Sequence, residues 1–210
     1  MIKGKNFSCN NSSGKRKKSD FYETPYSLTR LFLEKEADSM PSLVLEPACG
    51  NGAIVKVLKE FGKRVVYYDK ETDFLKEKQG YNYIITNPPF SIAGEFIEKA
   101  KEISERFSFL LPLSYLHGKK RYDEVYCDSS FPLESIYVFT RYPMLGDPLL
   151  ESGQHRTGMM VYAWFTFSKL ITNKEPVIRW LDNQNFVVGE KEWKDLLMKQ
   201  PQKIYGKRTL

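Results

Sequence analysis

The sequence predicts an α/β fold: a doubly wound, mostly parallel sheet with an antiparallel pair of strands toward its C-terminal end. Three observations carry the prediction. Short apolar runs alternate with helical patterns along the chain, the order that yields a parallel sheet with right-handed crossovers. Two of those runs, Leu43–Glu46 and Tyr83–Thr86, end in loops rich in Gly or Pro and are followed by helical patterns. Later runs over 134–140 and 158–168 read as strands that pair antiparallel with each other.

In order, a helix is expected over 25–36, a strand over 42–46 and a helix over 52–61, where Ile54, Val55, Val57, Leu58 and Phe61 recur near a 3.6-residue period. Strands follow at 64–68 and 83–86, then a helix over 92–105, a strand over 107–112 and a helix near 119–126. After the antiparallel pair, Val177 to Leu181 reads as a last strand, either an edge strand or an extension, and a helix over 188–199 carries Trp193, Leu196 and Leu197 on one face. Only residues 70–82 separate the second strand from the third. A full doubly wound half would hold a helix and another strand there. Either that sheet edge is reduced to a loop with a short strand, or the pocket beside it is shallow. There is no internal repeat.

Composition bounds the possibilities. A chain of 210 residues can bury one substantial core. Charged residues make up 28% of it and mean hydropathy is −0.46, and no apolar run approaches the roughly 18 residues a membrane span needs. The N-terminus is basic with no apolar stretch behind it, so no signal peptide is read. Cys9, Cys49 and Cys127 are few and far apart, which argues against a disulfide framework or a zinc site and fits a reducing cytoplasm. His117 and His155 lack partners at metal-ligand spacing, so no metal is expected.

Charge is distributed unevenly. Lys3, Lys5, Lys15, Arg16, Lys17 and Lys18 give residues 1–18 six positive charges and no acid, equal to the net +6 of the whole chain. Residues 1–19, rich also in Asn, Ser and Gly, read as a basic disordered tail: a solvated leader, or an arm that contacts phosphates through Lys15, Arg16, Lys17 and Lys18. Residues 20–210 then form a single domain. A second basic group, Lys119-Lys120-Arg121, follows the strand ending near 112 and falls on the ligand-binding edge of a doubly wound sheet, where phosphate contact is expected.

Asn87-Pro88-Pro89-Phe90 is the most informative segment. It leaves the apolar strand Tyr83–Thr86, and its two prolines fix φ and withhold backbone N–H groups. A backbone carbonyl and the Asn87 side-chain oxygen can then point the same way, two acceptors suited to gripping an exocyclic amino group. Phe90 adds a flat face for a flipped base, and such stacking is worth roughly 1–3 kcal/mol per base. Upstream, Leu43-Val44-Leu45-Glu46-Pro47-Ala48-Cys49-Gly50-Asn51-Gly52 is an apolar strand running into an acid and a Gly-x-Gly turn before a helix. Glycine lets the backbone approach a ligand closely. The third glycine of a dinucleotide fingerprint is missing, and Glu46 would repel phosphate but suit a cation. S-adenosylmethionine, with a sulfonium and an ammonium and no phosphate, matches that loop. Asp69, ending the strand Arg64–Asp69, is placed to accept both ribose hydroxyls of a nucleoside, with Glu71 as competitor.

These segments together resemble a known family. Leu45 to Gly52 resembles the cofactor loop of the amino-group DNA methyltransferases, and Asn87-Pro88-Pro89-Phe90 resembles their catalytic motif. Asp20-Phe21-Tyr22-Glu23-Thr24-Pro25, followed by helical Leu28 to Leu33, resembles their N-terminal cofactor motif, and Asp73-Phe74-Leu75 the stretch that holds the cofactor's adenine. The likeness is greatest to N6-adenine methyltransferases whose cofactor motifs precede the catalytic one, and to small phage-encoded members. Leu110–Leu116, Gly118–Tyr122 and Met160–Phe165 fit that group too, so the resemblance covers about residues 20–170.

The resemblance implies a class I methyltransferase fold, Rossmann-like, with S-adenosylmethionine as cofactor. Tyr22, Thr24, Pro25, Glu46, Pro47, Ala48, Cys49, Gly50, Asn51, Gly52, Asp73 and Phe74 would bind that cofactor, and Asn87, Pro88, Pro89 and Phe90 would be catalytic. The implied partner is a nucleic acid, DNA in preference to RNA. Methyl transfer to adenine N6 would be direct, and the base must leave its stack to reach the cleft. Tyr142 is a second stacking candidate, and Gly146 to Gly158, with Glu151, His155 and Arg156, reads as a loop near the substrate. No insertion separates the two main motifs, and only about 40 residues follow the last paired strand. Specificity is therefore expected to be short, low, or supplied by a partner protein. Three alternatives stay open: an RNA adenine methyltransferase, a methyltransferase for a glutamine side-chain amide, and a non-catalytic nucleic-acid-binding module with this fold.

Overall fold

A computed structural model describes residues 24–68, 74–140, 161–172 and 175–183. In these segments lie helices α1 (Tyr26–Glu36), α2 (Ala53–Glu60) and α3 (Ala93–Ile103), and strands β1 (Leu43–Glu46), β2 (Arg64–Tyr67), β3 (Tyr81–Thr86), β4 (Ser104–Pro112), β5 (Leu133–Phe139), β6 (Tyr162–Ser168) and β7 (Val177–Leu181). The seven strands form one sheet in the order β2-β1-β3-β4-β6-β5-β7. All neighbours run parallel except β6, which is antiparallel to both β4 and β5. The expected antiparallel pair is therefore present, and β7 is an edge strand, one of the two forms expected of it.

Alternation along the strands sorts side chains to the two faces. Leu45, Ile84, Phe107, Phe109, Phe165 and Phe167 meet Phe96, Ile97 and Ala100 of α3. On the other face Val44, Tyr83, Ile85, Leu110 and Trp164 meet Leu28, Phe32 and Leu33 of α1 and Ile54, Val57 and Leu58 of α2. The fit is close where aromatics meet. Phe32 stacks on Trp164 at 4.8 Å and meets Tyr137 edge-on at 5.1 Å. Helices on both faces bury the central strands, which is why those strands read as apolar runs.

Two details differ from expectation. First, β4 begins at Ser104, directly at the end of α3, with no loop between them. The Ser104 backbone is extended, and both its N–H and its hydroxyl donate to the Ala100 carbonyl (Oγ–O 2.7 Å), closing the helix while starting the strand. Second, the helix expected near 119–126 is one α-turn, Lys119–Arg121, continued by a π-type turn, Tyr122–Tyr126. Between β2 and β3 the described residues hold only a 3₁₀ turn, Phe74–Lys76, so β2 is the sheet's outer strand and that edge is short. The helix expected over 188–199 lies outside the described residues.

At the N-terminal ends of β4 and β5 a buried polar cluster ties α1 to the sheet. The Arg106 guanidinium donates to Glu36 of α1 at 2.7 Å, to both oxygens of Glu134 at 2.7 and 2.8 Å, and to Ser39 Oγ at 2.8 Å. Tyr137 also donates to Glu36, and burial together with that carboxylate pushes its phenol well above the usual tyrosine range. The opposite end of the sheet, where β1, β3 and β4 all terminate, is left for the loops described next.

Candidate active site

Parallel strands deliver their C-terminal ends to one edge, the usual ligand edge of an open α/β sheet. β1 arrives there with Glu46 and turns through Pro47–Gly52 into α2. Gly50 (φ 50°) and Gly52 (φ 77°) occupy the left-handed region, which a side chain would strain. Gly52 N–H closes the turn on the Cys49 carbonyl at 2.7 Å, and Cys49 N–H donates to the Tyr68 carbonyl beyond β2 at 3.1 Å. Gly50 and Asn51 are exposed and Cys49 half-buried, and at Gly50, which has no side chain, the exposed surface is main chain.

Glu46 is fully buried beneath this loop. Its Oε1 accepts the Ala48 N–H at 2.9 Å and the Thr86 hydroxyl at 2.6 Å. Its Oε2 is buried without a partner among the described residues. Burial pushes the carboxyl up to about 8, against the pull of the Thr86 and Ala48 hydrogen bonds, so at pH 7 it holds a proton. Thr86 is the residue before Asn87. One carboxyl thus joins the Gly-x-Gly loop to the strand end that carries the Asn-Pro-Pro-Phe turn.

That turn is held from several sides. Pro89 sits at φ −58°, ψ 121°, and Phe90–Ile92 form a 3₁₀ turn whose Ile92 N–H donates to the Pro89 carbonyl at 3.1 Å. Pro88 is buried, while Asn87, Pro89 and Phe90 are half-buried. The Asn87 amide donates from Nδ2 to Thr24 Oγ1 at 3.0 Å. Phe90 stacks against Tyr162 of β6, ring centres 5.4 Å apart and planes 27° apart. Tyr162 is brought there by its register opposite Pro112 on β4.

Of the residues singled out in the sequence, the structure brings together Thr24, Glu46, Ala48 and the Asn87–Phe90 turn through these bonds, with Pro25 behind Thr24 and Pro47–Gly52 forming the loop. Phe74 lies in the core cluster that also holds Leu45 and Tyr68 and against which Ala48 packs, its ring 4.9 Å from that of Phe96. The Lys119-Lys120-Arg121 group follows the C-terminal end of β4 and already has partners. Lys119 pairs with Asp123 at 2.5 Å and Lys120 with Glu124 at 3.7 Å. Arg121 donates to the His117 carbonyl at 2.8 Å and lies 4.3 Å over the Tyr115 ring. Tyr22, Asp69, Glu71, Asp73, Tyr142, Glu151, His155 and Arg156, and the tail residues Lys15, Arg16, Lys17 and Lys18, lie outside the described residues. Two contributors escaped the sequence reading. Thr86 had one signal, a hydroxyl closing an otherwise apolar run; Tyr162 had none, because its contact depends on strand register.

No family model and no curated protein matches the sequence. Solved structures do match. A candidate class I S-adenosylmethionine-dependent methyltransferase from Listeria monocytogenes superposes with a TM-score of 0.56 at 12% identity, over 84% of this chain and 71% of that one. A candidate RNA methyltransferase from Pyrococcus horikoshii gives 0.54 at 16% identity, over 71% and 87%. The modification subunit of a candidate type I restriction enzyme from Vibrio vulnificus gives 0.54 at 13% identity, over 87% of this chain and 54% of the subunit, so this chain spans about half of that protein. Among the described residues no helix is long and apolar enough to cross a membrane. The sheet order, the helices on both faces and these superpositions agree on one conclusion: the chain has the class I methyltransferase fold.

Proposed function

We propose that this chain is an S-adenosylmethionine-dependent methyltransferase that modifies the N6 amino group of adenine in DNA. One observation carries the reading: Asn87, opening a Pro-Pro-Phe turn at the end of β3, is linked through Thr86 and Glu46 to a glycine loop at the end of β1. The donor set suits the cofactor. Exposed backbone at Gly50 permits close approach, and a cationic group beside Glu46 would favour the ionised carboxyl, whose Oε2, unpartnered among the described residues, would then accept from it. Bound there, S-adenosylmethionine supplies an electrophilic methyl group on a sulfonium. The names of the three structural neighbours, all methyltransferases or modification subunits, support this reading.

The chain's own residues supply positioning and charge stabilisation. Adenine N6 is a weak nucleophile because its lone pair is delocalised into the ring. Hydrogen bonds from its two N–H groups to the Asn87 side-chain oxygen and the Pro88 carbonyl draw the nitrogen toward a tetrahedral geometry. The same acceptors stabilise positive charge as it develops on N6, acting as preorganised dipoles, and they fix the line of approach. Phe90 supports one face of the base. No nucleophilic side chain is needed.

Lys119, Lys120 and Arg121 would meet phosphates, and residues 20–210 would act as one catalytic domain whose target specificity is short or supplied by a partner protein. The second reading is an adenine methyltransferase for RNA, favoured by the likeness to the Pyrococcus protein. The deciding experiment offers methyl-labelled S-adenosylmethionine with unmethylated duplex DNA, single-stranded DNA and total RNA, followed by nucleoside digestion and mass spectrometry. N6-methyladenine in DNA is the expected result. Label in RNA alone would transfer the assignment to the second reading, and label in neither, with cofactor bound, would point to a partner requirement, a protein substrate or a non-catalytic fold.

A further inference from the structure

We infer that Thr24 is a positioning residue for Asn87, its hydroxyl holding the amide in the rotamer that presents the side-chain oxygen to the substrate amine. The inference rests on the role of Asn87 proposed above. A carboxamide has nearly the same shape after a half-turn about its last torsion, but the half-turn exchanges acceptor for donor. A substrate amine brings N–H groups, so only one of the two orientations can grip it. The wrong one opposes donor to donor.

Thr24 is well placed to choose. Its Oγ1 accepts a proton from Asn87 Nδ2 at 3.0 Å, which directs the nitrogen toward α1 and the oxygen away from it. Thr24 is buried and stands immediately before Pro25, whose carbonyl accepts the Leu28 and Thr29 N–H groups at 3.2 and 3.4 Å. The hydroxyl is therefore mounted on the first turn of α1, whose Leu28 and Phe32 are fully buried. On the other side, Thr86 ties the backbone just before Asn87 to Glu46 at 2.6 Å. Main chain and amide are held by two different elements, so each can be released separately.

The resemblance in the sequence implies a cofactor-binding role for Thr24, and the two roles separate experimentally. In the full-length chain, Thr24→Val keeps the shape and removes the hydroxyl, and Thr24→Ser restores it. Single-turnover methyl transfer and cofactor affinity by calorimetry are measured on both. The expected result for Thr24→Val is a transfer rate down by about fivefold to tenfold, the worth of one neutral hydrogen bond, with cofactor affinity unchanged. Thr24→Ser should recover most of the rate, and adding Thr24→Val to Asn87→Ala should cost nothing further. An undiminished rate, or a loss seen only in cofactor affinity, would overturn the inference. An activity-independent arm follows the Asn87 side-chain NH₂ signals by NMR. They should shift and exchange faster in Thr24→Val, and unchanged signals would equally overturn the role. An inactive wild type with shifted signals would instead locate the failure in the methyltransferase reading.

Discussion

Asn87 and Glu46 carry different kinds of demand. In the proposed reaction Asn87 offers an acceptor to a group whose charge changes, so its removal would act on the transition state. Asn87→Ala should lower transfer by roughly 10²–10³, the usual loss for one preorganised polar group, while S-adenosylmethionine still binds in calorimetry; near-normal turnover would remove Asn87 from the chemistry. Glu46 is a matter of protonation. Its carboxyl titrates near 8 in the folded protein and at its ordinary 4.5 when unfolded. Between those values the unfolded chain has released the proton and the folded one keeps it, so stability falls as pH rises through that window and levels off above it. The slope is at most about 1.4 kcal/mol per pH unit for one proton. Glu46→Gln can keep both accepted hydrogen bonds and has nothing to titrate. Its melting temperature should depend less on pH between 5 and 8 than that of the wild type, and parallel curves would show that Glu46 is charged throughout. The acid in the loop was legible in the sequence. Its burial, its bond to Thr86 and the reach of Asn87 to Thr24 were not, since a linear pattern does not report contacts across 40 and 63 positions.

Elements set the site's edges. The turn Lys119–Arg121 and the residues after it show how a basic triplet can be electrostatically modest. Lys119 and Lys120 are 81% and 83% exposed, yet each faces an acid four residues on. Exposed pairs of this kind are worth little, about 0.3–0.5 kcal/mol, so a phosphate can displace Asp123 or Glu124 at small cost. Lys119→Gln with Lys120→Gln should therefore flatten the salt dependence of DNA binding by up to about two units of log–log slope, one for each phosphate that a lysine no longer neutralises; an unaltered slope in titrations at several salt concentrations would take this turn off the DNA path. The sequence showed the charge run clearly. The acids were legible as well, since a helix near 119–126 sets Asp123 and Glu124 one turn beyond the lysines. Element boundaries were less legible: β4 begins where Ser104 closes α3, a junction made by a bifurcated acceptor and not by any turn residue.

Across the whole molecule, the fold was read from alternation of strands and helices and from two loop motifs, and those features describe one end of the sheet. The other end was invisible, since an arginine inside Ser104-Glu105-Arg106-Phe107 does not announce two carboxylates 70 and 28 residues away. Arg106→Ala would leave Glu36 buried beside Tyr137 with no cation. The expected loss is about 3–5 kcal/mol in denaturant unfolding, the usual outcome of stripping one partner from a buried pair, and an unshifted midpoint would mean that the pair adds nothing net to stability. The packing of α1 against the sheet has an optical consequence as well. Trp164 is fully buried against Phe32, its indole N–H without a partner among the described residues, whereas Trp180 on the β7 edge is 69% exposed. With Trp193 replaced by Phe, the chain carries two indoles of opposite character: a blue-emitting one that acrylamide reaches slowly, reporting on the α1–sheet seam, and a red-emitting one quenched at once, reporting on the outer strand. Detachment of α1 and loss of the sheet edge thus become separately visible in a single emission spectrum.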